Sequence, residues 1–144
     1  MRLAFTKGSG KYDRLEVRRD GAAPATIDCP KQGIIPHDMV HYAVESVMAA
    51  RGFLSSLADG APPGGESAEA IERLVETIQA EAWSGPAPAD ELIALYEIAC
   101  DARGSKVIPV DAAAIDAIRA RMADLTAQWS AVPVGSTLTL DFAR

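Results

Sequence analysis

The stretch ATIDCPKQGIIPHDMVHYAVESV, residues 25–47, decides the fold because its hydrophobic period changes partway along. Up to Cys29, apolar and polar residues alternate, which is the period of a β-strand with one buried face. From Pro36 onward the apolar residues recur three and four apart, as on one face of a helix. Proline suits the start of a helix, because the N–H that it lacks would have no partner there. The stretch therefore predicts that a sheet precedes this point and that a helical region follows it.

The chain on either side of this stretch supports the same division. Three segments within residues 2–29 keep the two-residue period and are separated by the glycine-containing turns Gly8–Gly10 and Asp20–Gly21, which predicts an antiparallel meander. The period of two returns in residues 137–142, where apolar residues alternate with Thr and Asp. This segment predicts a strand that returns to an edge of the sheet.

Helical periodicity fills residues 37–131 in four blocks, and breaks rich in Gly and Pro separate them. The first block carries a short continuation that includes Phe53 and Leu54. We therefore predict one α+β domain over residues 1–144, with a small antiparallel sheet and four helices mainly on one of its faces. The fourth block has apolar residues spaced alternately by three and four, which favours packing against another helix of the chain or, as the alternative, against a second copy in a homodimer.

Composition excludes some classes of function. The 144 residues carry a formal net charge of −6 and no cluster of Lys or Arg, which argues against binding to nucleic acid or to an anionic membrane surface. No apolar run approaches the roughly 18 residues of a membrane-spanning helix. The two cysteines, Cys29 and Cys100, have no motif spacing, so we expect no disulfide framework and a cytoplasmic location.

Both histidines of the chain, His37 and His41, lie in the helical part of the opening stretch. Four residues apart, they share one face of a helix. With Asp38 they form the sequence His-Asp-x-x-His, which resembles the zincin pattern His-Glu-x-x-His, in which two histidines bind zinc and the acid polarises a water molecule. The resemblance implies His37 and His41 as ligands of a divalent metal such as zinc.

Such a centre needs a further protein ligand. Glu45 is a poor third ligand, because a helix rises about 1.5 Å per residue and places it about 12 Å along the axis from His37. We expect Glu45 instead to orient His41 by a hydrogen bond. Asp28 and Cys29 are candidates for the missing ligand, because only a short connection joins the third strand to this helix.

Other roles for the same residues stay open at this stage. A histidine and a glutamate four apart form a common helix contact, so the pair can be purely structural. Asp38 and Glu45 are candidates for acid–base chemistry, and Cys29 is a candidate nucleophile beside a histidine. Two functions follow: a non-catalytic protein that acts through a surface or a dimer, or a metal-binding protein or metal-dependent hydrolase. The residues do not identify a small-molecule ligand or a substrate.

The histidine element also resembles a feature of short bacterial proteins of unknown function. These carry Pro-His-Asp-x-x-His-x-x-x-Glu after N-terminal strands, followed by a glycine and an aromatic residue. The matching positions are Pro36, His37, Asp38, His41, Glu45, Gly52 and Phe53. The resemblance implies that the element is a feature of that family, and it implies no activity, ligand or partner.

Overall fold

The computed structural model describes residues 1–62 and 64–143 and has a mixed α+β architecture. Four antiparallel strands form one sheet in the order β3-β2-β1-β4. The strands are β1 (Arg2–Thr6), β2 (Tyr12–Arg18), β3 (Ala25–Pro30) and β4 (Thr137–Asp141). The predicted meander is confirmed, and the last strand lies at the edge of the sheet beside β1, where Leu140 is opposite Leu3. The last strand thus pairs with the first, and β3 and β4 form the two edges of the sheet.

The described residues contain five helices, so the prediction of four is wrong. They are α1 (His37–Glu45), α2 (Phe53–Ala58), α3 (Glu66–Ser84), α4 (Ala89–Arg103) and α5 (Ala112–Ser130). The difference lies at α2, which is a separate helix and not a continuation of α1. Residues 46–52 leave the helical conformation, and the chain starts a new helix after the extended backbone of Gly52.

Alternation along the strands directs the two faces of the sheet to different surroundings. Side chains of one face are buried, among them Leu3, Phe5, Leu15, Val17 and Cys29, and they join apolar side chains of the helices in the hydrophobic core. The opposite face carries polar residues such as Arg14 and Glu16. Burial of one face only is the arrangement that the alternating sequence requires.

The position of α1 matters most for the site. This short helix follows β3 after residues 31–36 and packs against both α3 and α5. Its own buried residues include Met39, Val40, Ala43 and Val44, while α3 contributes Ile71, Leu74, Val75 and Ile78 to the same core. Packing of the two apolar stripes brings the histidine side of α1 against one side of α3. Among the described residues, no helix is both long enough and apolar enough to cross a membrane.

Candidate metal centre

The two imidazoles lie side by side at the N-terminal end of α1. His37 is the first residue of the helix, directly after Pro36, and His41 lies one turn later. Their ring centroids are 4.9 Å apart, with the ring planes inclined by 76°. His41 is almost fully buried, whereas 39% of the His37 side chain is exposed. The pair therefore lies at the boundary between the core and the solvent.

Glu72 of α3 joins the two rings. One carboxylate oxygen, Oε1, is 3.1 Å from Nε2 of His37, and the other, Oε2, is 2.9 Å from Nε2 of His41. Ligand atoms of these three residues all lie within 4.8 Å of one another, and no other such group of His, Cys, Asp and Glu is found among the described residues. Two imidazole nitrogens and a carboxylate thus converge from two different helices.

The nitrogen of each ring that points away from Glu72 has a hydrogen-bond partner of its own. Nδ1 of His41 is 2.9 Å from Oε2 of Glu45, and Nδ1 of His37 is 3.0 Å from Oε1 of Gln79. Metal-binding histidines in proteins characteristically donate their second ring N–H to a carboxylate or a carbonyl in this way. The expected link between His41 and Glu45 is therefore present as a hydrogen bond.

The hydrogen-bond network fixes which nitrogen of His37 carries a proton. Nε2 of Gln32 donates to the carbonyl of Ile35 at 2.8 Å and to Oε1 of Gln79 at 3.0 Å. The amide oxygen of Gln79 is thus an acceptor on this side, and Nδ1 of His37 must be the donor to it. Its Nε2 faces Glu72 either as a second N–H or as a lone pair.

The partners of Glu45 likewise fix the proton on Nδ1 of His41. The carboxylate of Glu45 accepts the backbone N–H groups of Leu54 at 3.1 Å and Ser55 at 3.0 Å, and the Ser55 hydroxyl at 3.0 Å. A carboxylate with so many donors is an acceptor only, so Nδ1 of His41 carries a hydrogen. Both Nε2 atoms then point at an anionic oxygen, and this arrangement requires either a proton or a cation between each nitrogen and Glu72.

The pKa shifts follow from these contacts. Burial alone would lower the pKa of His41, but its hydrogen bonds to Glu45 and Glu72 outweigh burial and raise it to about 9. The hydrogen bond to Glu72 also raises the pKa of His37. Hydrogen bonds from His37 and His41 hold the pKa of Glu72 far below its usual range, and the pKa of Glu45 is lowered against the effect of burial. These contacts therefore favour the protonated form of each imidazole in the metal-free protein.

These shifts predict how the stability of the metal-free protein depends on pH. The pKa of His41 rises from 6.5 to about 9 on folding, so its stabilising contribution is complete below about pH 6.5 and disappears as the pH rises through 9. We expect the free energy of unfolding in chelator to fall over that window, by up to about 1.4 kcal/mol per pH unit for one proton. Urea denaturation at a series of pH values measures it. A free energy of unfolding that stays level or increases from pH 6.5 to 9 would contradict the raised pKa of His41.

Gly52 leaves the space that Glu45 occupies. A Cβ atom at residue 52 would lie 2.6 Å from Cδ of Glu45 and 2.6 Å from Cγ2 of Ile71, well inside van der Waals contact. The backbone of Gly52 is extended, with φ at −119°, so the requirement here is for space and not for a left-handed conformation. The glycine lets the chain pass directly over the carboxylate before α2 begins.

We therefore expect Gly52→Ala to lower the free energy of unfolding by about 1–3 kcal/mol, the usual cost of an overpacked interior. Gly10→Ala is the matched control, because a Cβ atom there meets nothing within 4 Å and should change the stability little. Chemical denaturation of both variants gives the comparison. Equal stability of the two variants would show that residue 52 has room to spare.

Cys29, Asp38 and Asp28, which the sequence also singled out, are not among the three residues whose ligand atoms converge. The thiol of Cys29 contacts Oδ2 of Asp38 at 3.8 Å, and burial, together with Asp38, raises its pKa to about 12. A thiol that keeps its proton is a poor nucleophile and a poor metal ligand. Burial raises the pKa of Asp38 as well. Asp28 lines a surface cavity on the outer face of the sheet, away from the core side where the histidines lie.

Glu72 was not among the residues predicted from the sequence. It is one of several glutamates in α3, and its only distinguishing feature is a position beside Ile71 at the border of the apolar stripe. The side chain of Glu72 is 33% exposed, so solvent reaches its carboxylate. Solvent also reaches the ring of His37. The centre thus has a buried side at His41 and an accessible side at His37 and Glu72.

The donor set fits a divalent metal ion. Bonds from zinc to imidazole nitrogen and to carboxylate oxygen are about 2.0–2.2 Å long, so ligand atoms around one tetrahedral ion lie roughly 3.3–3.5 Å apart. The nitrogen–oxygen distances at Glu72, 3.1 and 2.9 Å, are close to that spacing, and the three ligand atoms, which lie within 4.8 Å of one another, need a modest rearrangement to share one ion. Two histidines and one carboxylate leave coordination positions free for water or a ligand. No protein-family model, no curated protein and no solved structure matches this chain.

Proposed function

We propose that this protein binds one divalent metal ion through Nε2 of His37, Nε2 of His41 and the carboxylate of Glu72. A single observation carries the proposal: both Nδ1 atoms already donate to fixed acceptors, and both Nε2 atoms converge on one carboxylate. A structural histidine needs only some partner for each nitrogen. Two histidines with the same division of roles, sharing one carboxylate between them, match the pattern of a metal site with its supporting hydrogen bonds.

Charge balance supports a divalent cation. The carboxylates of Glu72 and Glu45 together contribute two negative charges, and two neutral imidazoles contribute none. An ion of charge +2 therefore balances these four side chains; the carboxyl of Asp38, which also interacts with both imidazoles, has its pKa raised by burial. Without it, neutrality requires both imidazoles to be protonated, although their centroids are 4.9 Å apart and like charges at that distance repel.

Ligand chemistry narrows the choice of metal. Imidazole nitrogen and carboxylate oxygen suit zinc, and the same set with open positions also suits ferrous iron. When bound at such a site, zinc lowers the pKa of a coordinated water to about 7, which is the chemistry of metal-dependent hydrolases. A hydrolase is accordingly the class of enzyme that we propose, with His37, His41 and Glu72 holding the ion and the half-exposed side of His37 and Glu72 giving access to it.

Elemental analysis of the untagged protein, together with thermal melts with and without chelator, tests the proposal. We expect close to one equivalent of metal per chain and a lower melting temperature once chelator removes it, since an ion that binds only the folded state stabilises that state. The proposal would be ruled out by substoichiometric metal together with a melting temperature that changes neither with chelator nor with added Zn²⁺.

A second candidate is a protein that acts through a surface or as a homodimer. Its support is the face of α4 that carries Leu95 and Ile98, which are 56% and 64% exposed. The apolar stripe of α5, by contrast, is buried within the chain at Ile115, Ile118 and Leu125. Light scattering at high concentration tests this candidate: a dimer that Leu95→Lys disrupts supports it, and a monomer excludes a stable pair.

The cytoplasmic location, the absence of nucleic-acid binding and the likeness to short bacterial proteins also stay predictions.

A further inference from the structure

We infer that Glu45 is a positioning residue that couples the metal centre to α2, so that metal binding at His41 holds this helix more firmly in place. The inference rests on the proposed function and adds to it a response of the protein to metal occupancy. Glu45 contacts no atom that would coordinate the ion directly. Its carboxylate lies between the ring of His41 on one side and the start of α2 on the other.

The contacts of Glu45 are unusually complete. The residue is 3% exposed, and its two oxygens accept four hydrogen bonds. One comes from Nδ1 of His41, and the other three come from the backbone of Leu54 and from the backbone and hydroxyl of Ser55. No described side-chain N or O atom in the interior lacks a partner, so this network is fully satisfied. Loss of one member would leave its hydrogen-bonding partners unpaired in the apolar interior, which is costly.

The helix α2 depends on this carboxylate for its N-terminus. Its N-cap residue is Gly52, which has no side chain to accept the free N–H groups of the first turn. Leu54 and Ser55 are the second and third residues of the helix, the positions whose N–H groups a capping Ser or Asp normally satisfies. Glu45, at the end of α1, replaces that cap. A helix of only six residues is not stable in isolation, so its order depends on such contacts.

A second contact links the same two elements. The ring of Phe53, the first residue of α2, packs edge-on against the imidazole of His41, with 5.8 Å between centroids. Movement of His41 is therefore felt at the first residue of α2 through packing, as well as through Glu45. Both contacts would be lost together if the imidazole turned away.

Linkage gives the direction of the effect. A metal ion bound to Nε2 of His41 fixes the orientation of its ring and so holds the hydrogen bond from Nδ1 to Glu45 in place. The same bond holds the cap of α2, so the metal-bound state disfavours opening of this helix. Because coupling between two events is reciprocal, opening of α2 lowers the affinity for the metal by the same factor by which the metal disfavours opening. A variant that leaves α2 open for part of the time therefore binds the metal more weakly.

The experiment compares hydrogen exchange in the full chain with and without Zn²⁺ as the only added ligand. We expect the amides of Leu54 and Ser55 to exchange at least about fivefold more slowly with Zn²⁺ bound, a coupling of ordinary size. Amides near the exposed C-terminal end of α5, such as that of Gln128, exchange through local opening and are the internal control, so their exchange should change much less. Calorimetry on the same samples records whether Zn²⁺ binds.

Two variants separate positioning from a purely structural role. Glu45→Gln should weaken Zn²⁺ binding about 10–100-fold and shift the visible absorption bands of the Co²⁺-loaded protein, although residue 45 is not a ligand. Ser55→Ala covers the case in which that variant does not fold, since it removes one hydrogen bond to Glu45 and leaves His41 untouched. We expect Ser55→Ala to lower Zn²⁺ affinity several-fold, whereas Ser84→Ala, which removes a hydrogen bond on the exposed end of α3, should not.

The outcomes distinguish the two proposals. If Zn²⁺ does not bind the unaltered protein, the proposed function fails and this inference fails with it. If Zn²⁺ binds with one-to-one stoichiometry while the exchange of Leu54 and Ser55 and the affinity of Ser55→Ala stay unchanged, the proposed function stands and the coupling through Glu45 is refuted.

Discussion

Glu72→Gln is expected to reduce the affinity for Zn²⁺ by more than about 100-fold while the protein stays folded. The substitution keeps the size of the side chain and removes the negative charge that both Nε2 atoms face. Loss of a hydrogen-bond partner behind a ligand already costs about 10–100-fold in metal affinity, and loss of a ligand costs more. Because a third of Glu72 is exposed, the fold itself should tolerate an amide at this position.

Glu69→Gln is the matched control for this variant. It makes the same change of charge on the same helix, one turn earlier, at an exposed position. Calorimetric titration of Zn²⁺ into both variants, with circular dichroism to check folding, gives the comparison. Equal affinity of the two variants would show that the carboxylate of Glu72 does not bind the ion.

Glu45→Ala is expected to be the most destabilising single change at the centre. It would leave four buried donors without their acceptor and His41 without the carboxylate that balances its charge. Breaking a buried pair by removing one partner typically costs about 3–5 kcal/mol. The loss should appear in the metal-free protein, because these contacts exist before any ion binds.

Glu76→Ala provides the comparison for Glu45→Ala. Glu76 also forms an ion pair, with Arg73, but 42% of its side chain is exposed, and pairs of this kind contribute at most about 1 kcal/mol. Urea denaturation in chelator measures the free energy of unfolding of both variants. A difference below about 1 kcal/mol between the two variants would mean that Glu45 is not the central acceptor of this network.

The pattern of the sequence predicts the sheet well, because strands with one buried face leave a direct record in alternating residues. Leu3 and Phe5 on β1, and Leu15 and Val17 on β2, alternate with polar neighbours, and all four are buried. The same alternation predicts β4 as a strand, but its place beside β1 comes from the structure and not from the alternation. Helix number was less accessible, since α2 continues the apolar pattern of α1 and the break between them depends on a tertiary contact, the packing of Gly52 against Glu45.

The candidate site was accessible only in part. Helical spacing alone places His37 and His41 on one face, and the position of Glu45 one turn further predicts its hydrogen bond to His41. Glu72 could not be found in this way, because its role depends on how α3 packs against α1, and local periodicity carries no record of the pairing of helices. Asp28 and Cys29 are closer to the histidines in sequence, yet the alternation of β3 turns one outward and the other into the core.

Anomalous diffraction from crystals grown with Zn²⁺, collected on both sides of the zinc absorption edge, tests the central claim most directly. We expect one strong peak between Nε2 of His37, Nε2 of His41 and the carboxylate of Glu72, with bonds of about 2.0–2.2 Å to each. The absence of a peak among these three residues in protein that has been saturated with Zn²⁺, with the imidazoles still hydrogen-bonded to Glu72, would contradict the account.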